Sequence, residues 1–151
     1  RDPLLRVSIP LMMRLQPGEI LTRQMMESQL EDYSPGSYSE ASKKSFAQNI
    51  NGSWTQAGFV EGRNKKLRTI PNICIENVAF ALFIANLNGY EGQRAFQTDW
   101  MTMLSSNIDE LYAKAQGAAR YGYLRYKHAS EVIEITFPGW LTEQEKEVLN
   151  G

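Results

Sequence analysis

A chain of 151 residues, 42% hydrophobic and 22% charged, can bury a core of its own and has the make-up of an average soluble domain. The single cysteine, Cys74, excludes an internal disulfide, and neither a signal-peptide pattern nor an apolar run of the ~18 residues a membrane span needs is present, so a cytoplasmic location is expected. The net charge of −1 conceals an uneven spread: residues 39–70 carry six basic and two acidic side chains, and residues 71–151 carry six basic and ten acidic ones. A basic block in a near-neutral chain is the footprint of an anionic partner.

Leu4, Leu5, Ile9, Met12 and Met13 predict a first helix over 4–15, with Pro10 marking either its start or a kink. The first residue is Arg1 rather than Met, as expected of a fragment or a trimmed chain. Pro17 and Gly18 turn the chain, Ile20 and Leu21 form a short extended segment, and Thr22 caps a second helix over 23–31 with Met25, Met26 and Leu30 inward. Residues 33–37 are a turn, and Ser39 caps the third helix.

In that third helix Ala47, Ile50, Trp54 and Ala57 recur at helical spacing and define a core face. Lys44, Gln48, Gly52 and Thr55 fall opposite, with Asn49 and Asn51 on the flanks. Gly58 stops the helix. Strands over 59–61 and 66–70 then pair across the basic turn Gly62-Arg63-Asn64-Lys65.

Residues 75–88 read as a strongly apolar helix with little polar face, stopped by Gly89. A short segment over 96–104 follows, rich in large groups. Asn107 and Glu110, at capping-box spacing, open a helix over 108–121 whose inner stripe is Ile108, Leu111, Tyr112, Ala115 and Ala119. After Gly122, strands over 123–127 and 132–137 flank a turn at 128–131, with Ile133, Ile135 and Phe137 facing in. Trp140 is expected to pack back on this second part, and Thr142 with Glu145 opens a short acidic helix that frays at its end.

The order helix, short strand, helix, turn, helix, strand, basic turn, strand over residues 4–70 resembles the winged helix-turn-helix superfamily. The helix–Gly–hairpin punctuation recurs: Gly58 and Gly122 lie 64 residues apart, and Pro71 and Pro138 lie 67 apart. The expected fold class is therefore mainly α with small β-hairpins (α+β), as two winged-helix-like units in tandem. Residues 1–71 form the first, with the basic helix and wing. Residues 72–138 form the second, a scaffold or interaction unit, and 139–151 a short acidic helix or tail.

Enzymatic chemistry finds no support in the residues. His128, the lone histidine, falls in a predicted turn, so no metal cluster or Ser-His-Asp triad can be assembled around it. Cys74 reads as a buried structural thiol. No glycine-rich phosphate loop, H-E-x-x-H or G-x-S-x-G is present. No catalytic residue, metal site or cofactor is expected.

Binding to double-stranded DNA is expected instead, through short polar groups on the third helix and cations on the wing. Gln and Asn suit adenine, and Lys or Arg suits guanine or phosphate. The candidate residues are Lys43, Lys44, Ser45, Gln48, Asn49, Asn51 and Thr55 on the helix, with Arg63, Asn64, Lys65, Lys66 and Arg68 on the wing. Such a protein would be a regulator or the DNA-contacting subunit of a larger complex, of prokaryotic or phage-defence type, with homodimerisation left open. The second unit lacks this chemistry; its Tyr112, Tyr121, Tyr123 and Tyr126 make residues 108–137 a candidate protein-partner surface. The rival reading is a protein-interaction adaptor whose tandem winged-helix units dock on partner proteins, since winged helices do both jobs.

Overall fold

The computed structural model describes residues 3–150. The chain is mainly helical with two small antiparallel hairpins, and it divides into two compact units, Arg1–Asn72 and Ile73–Gly151. Among the described residues no helix is long and apolar enough to cross a membrane.

The first unit contains α1 (Pro3–Arg14), α2 (Arg23–Tyr33), α3 (Glu40–Gln56), β1 (Val60–Glu61) and β2 (Leu67–Arg68). Helix α1 runs continuously through Pro10, so it does not begin there; Pro10 is exposed, where its missing N–H costs least. Its buried residues are Val7, Ser8, Leu11 and Met12, one position out of phase with the expected stripe, and Met13 is 39% exposed. Thr22 caps α2 by accepting from the Met25 N–H at 3.1 Å, and Ser39 caps α3 by accepting from the Ser42 N–H at 3.1 Å. Met26 and Leu30 of α2 and Ala47, Ile50 and Trp54 of α3 close the core with Leu15, Leu21 and Val60. Ala57 is not part of it: it is the exposed C-cap of α3. One buried polar link crosses this core, where Trp54 Nε1 donates to Ser8 Oγ at 2.8 Å.

The hairpin is shorter than expected. Val60 faces Arg68 and Glu61 faces Leu67. Its outer edge is covered by the segment before α2: Ile20 bridges Leu67, Gly18 N donates to Arg68 O at 2.7 Å, and Leu21 N donates to Lys66 O at 2.9 Å. This satisfies backbone groups that an edge strand would otherwise leave open.

The second unit contains α4 (Ile75–Leu87), a 3-10 turn at Gly92–Gln97, α5 (Asp99–Leu104), α6 (Ile108–Arg120), β3 (Arg125–Ala129), β4 (Val132–Thr136) and α7 (Glu143–Asn150). Its core joins Val78, Leu82 and Ala85 of α4 to Phe96, Met101, Leu111, Ala115, Ala118, Leu124, Tyr126 and Ile133. Although apolar, α4 is not buried all round, because Phe80 is 58% exposed. The strand β3 begins and ends two residues later than expected. His128 therefore lies within it, opposite Ile133, and the turn is Ser130-Glu131. Cys74 is exposed rather than buried: it is the N-cap of α4, and its thiol donates to Asn77 Oδ1 at 3.0 Å. Trp140 packs against Phe83 (centroids 4.6 Å apart) and donates to Tyr123 O at 2.6 Å.

Candidate nucleic-acid interface

Helix α3 sorts its polar residues sharply. With Ala47, Ile50 and Trp54 turned inward, Lys44, Ser45, Gln48 and Asn49 are all exposed. The stripe continues through Gly52 to Thr55, both half-buried. From Lys44 to Thr55 it spans ~16 Å at 1.5 Å per residue. None of the side chains of Lys44, Ser45, Gln48 and Asn49 makes a hydrogen bond or ion pair within the described residues.

Asn51, Lys43 and Arg68, three of the candidate residues, make contacts that tie the first unit together. Asn51 is buried, 4% exposed, with Nδ2 aimed at Thr22 O at 3.5 Å and Oδ1 unpartnered. It belongs to the α2–α3 contact, because position 51 sits beside Ile50 and one turn from Ala47 on the core face. Lys43 lies between two carboxylates, Glu40 Oε1 at 2.6 Å and Glu31 Oε2 at 3.0 Å. Those partners, Glu40 first, hold the Lys43 ammonium above its usual range, and its charge is neutralised locally. Glu31 is lowered in turn, first by the Gly36 N–H and then by Lys43.

Arg68 is the third of them. Its guanidinium donates to Met12 O at 3.3 Å, to Phe59 O at 3.1 Å and to Thr69 O, and it lies over the Phe59 ring 5.3 Å from the centroid. Burial lowers its pKa, though a guanidinium stays charged at neutral pH. Arg68 ties α1 to the hairpin through Nε and Nη1.

The remaining wing residues are presented outward. Arg63, Asn64 and Lys65 are exposed at the tip. Gly62 makes that tip possible: its φ is +100°, and a Cβ there would lie 2.0 Å from Lys65 O. Lys66 is half-buried, and its ammonium donates to Thr55 Oγ1 at 2.9 Å. Thr55 Oγ1 donates in turn to Asn51 O at 2.8 Å. The wing is thereby latched to the last turn of α3, at the end of the polar stripe. Neither this latch nor the Arg68 knot leaves a sequence signal, since both depend on where the hairpin folds back. Ser53 and Gln56 are also exposed on α3; the same helical period points to them, although Ser53 Oγ is taken up by Asn49 O at 3.0 Å.

The four cations left at this surface are Lys44, Arg63, Lys65 and Lys66, with Glu61 the exposed acid nearest them in the hairpin. The second unit offers a different surface. Tyr121 is 75% exposed and Tyr123 37%, their rings stacked 6.1 Å apart, and Tyr123 OH donates to Glu76 Oε1 at 3.3 Å. Tyr126 is buried and Tyr112 half-buried; burial first, then Tyr112, pushes the Tyr126 hydroxyl up to about 12. Among the described residues, no group of three or more His, Cys, Asp or Glu side chains is placed to hold a metal ion. In comparisons with known proteins, no family model, curated protein or solved structure matches the chain.

Proposed function

We propose that the protein binds double-stranded DNA without catalysis, laying α3 in the major groove and the Gly62–Lys66 wing against the adjacent backbone. The latch between Lys66 and Thr55 carries this reading, because it joins the cationic wing to the polar stripe as one surface. The order of elements supports it too: three helices, with the Gly18–Leu21 segment edging a hairpin that follows the third, resemble a winged helix-turn-helix. A helix about 10–12 Å across fits a groove about 12 Å wide with its polar stripe along the floor, and the cations at its flank suit phosphate. A DNA-contacting role inside a larger complex is compatible with the exposed Tyr121–Tyr123 pair, which would then face a protein partner.

Fluorescence anisotropy with a labelled random-sequence duplex tests the reading. Binding at low salt that collapses toward physiological salt is expected. No binding at low salt refutes it and favours the protein-interaction adaptor.

A further inference from the structure

The stripe on α3 is uneven in what its side chains are free to do. Thr55 and Ser53 spend their hydroxyls within the helix, on Asn51 O and Asn49 O. Gln48 and Asn49 are exposed and their carboxamides have no partner among the described residues. A carboxamide presents a donor and an acceptor side by side, which matches the N6–H and N7 of adenine; guanine offers two acceptors and calls for two donors. The stripe holds no arginine, and its single cation, Lys44, lies a full turn before Gln48.

Gly52 is the second observation. It sits inside α3, one turn after Gln48 and three residues after Asn49, where glycine weakens a helix relative to alanine. Nothing among the described residues requires it: a Cβ there would meet no atom within 4 Å. Gly117 of α6 is different, since its Cβ would come within 3.0 Å of Ile75 Cγ2. A helical glycine with open space before it, one turn beyond two free carboxamides, suits close approach of something from outside.

We infer that Gln48 and Asn49 each read an adenine in the major groove, on neighbouring base pairs, and that Gly52 admits the duplex close enough for these short side chains to reach. This rests on the DNA-binding reading and deepens it: the interface is sequence-reading and selects A·T pairs, rather than gripping phosphate alone.

Selection from a random duplex library, followed by anisotropy on the enriched duplex, tests it. Wild-type protein enriches duplexes with adenine at two adjacent positions. Replacing either adenine by 7-deazaadenine, which keeps Watson–Crick pairing but lacks the N7 acceptor, weakens binding about tenfold. Gln48→Ala and Asn49→Ala each abolish the preference at one position and weaken binding to the enriched duplex more than to random duplex. Gly52→Ala raises the melting temperature and weakens binding to the enriched duplex. Duplex binding without adenine enrichment, or enrichment that survives both alanine variants, overturns the readout and leaves DNA binding standing. Absence of binding to any duplex at low salt overturns both.

Discussion

Arg68 should matter for folding and not for DNA. In Arg68→Met the aliphatic stem can still cover Phe59, but the donors to Met12 O, Phe59 O and Thr69 O are gone. A hydrogen bond to a charged group contributes about 1.5–3 kcal/mol when water cannot replace it. Arg68 is only half-buried, so water recovers part of each bond, and the three together are expected to contribute about 2–3 kcal/mol. For a unit of this size each kcal/mol moves the midpoint by about 4–8 °C, so the transition should fall by roughly 10–20 °C. Calorimetry on the full chain reads the shift, and Trp54 fluorescence assigns it, because Trp54 packs 5.2 Å from Phe59. The exposed Arg63→Met should stay within about 0.5 kcal/mol of wild type. An Arg68→Met protein as stable as Arg63→Met would refute the structural role and return Arg68 to the binding surface.

If Lys44, Arg63, Lys65 and Lys66 each meet a phosphate, log K against log salt should have a slope of about −3.6, and Arg63→Ala/Lys65→Ala should bring it to about −1.8, measured by anisotropy between 50 and 200 mM salt. Lys43→Ala should leave the slope unchanged, because Lys43 already sits between Glu31 and Glu40. Trp54→Phe, which deprives buried Ser8 Oγ of its donor, should destabilise by about 1–3 kcal/mol in chemical denaturation. The N-terminus of α7 should loosen in acid: Glu145 is lowered by the Thr142 N–H first and then the Thr142 hydroxyl. Its contribution is therefore present above the unfolded carboxylate range and is lost as pH falls through the depressed folded value. Amide chemical shifts of residues 142–146 should report this, and Thr142→Ala, which keeps the backbone N–H and loses only the hydroxyl, should reduce the pH dependence without abolishing it.

Periodicity and punctuation made most of the elements readable. The core face of α3, the caps at Thr22, Ser39 and Asn107, and the inward side of β4 depend on neighbours within a turn or two, so local sequence carries them. Asn107 indeed accepts from the Asp109 N–H at 3.0 Å, but Glu110 does not reach back to close a box; it accepts from Ser105 Oγ at 2.7 Å. The matching helix ends were also local: Phe59 N donates to Trp54 O and Tyr123 N to Ala118 O, each at 3.0 Å. Because Tyr90 N donates to Ala85 O in the same way after α4, this closure is a general stop and not the mark of a repeat. The site was less readable. Sequence treats Lys43, Lys44, Lys66 and Arg68 alike as cations in one block. Only packing separates them: into an ion pair, a free charge, a latch and a carbonyl clamp. The burial of Asn51 is hidden from the sequence for the same reason, since a polar residue at the border of a helical face is placed by its neighbours across the α2–α3 contact.

Amide chemical-shift mapping of the 151-residue chain against an unlabelled duplex tests the central claim most directly. Shifts concentrated at Lys44–Thr55 and Gly62–Lys66, with the Tyr121–Tyr123 region unmoved, are what the account predicts. An unmoved α3 face and wing, or shifts confined to the second unit, would contradict it.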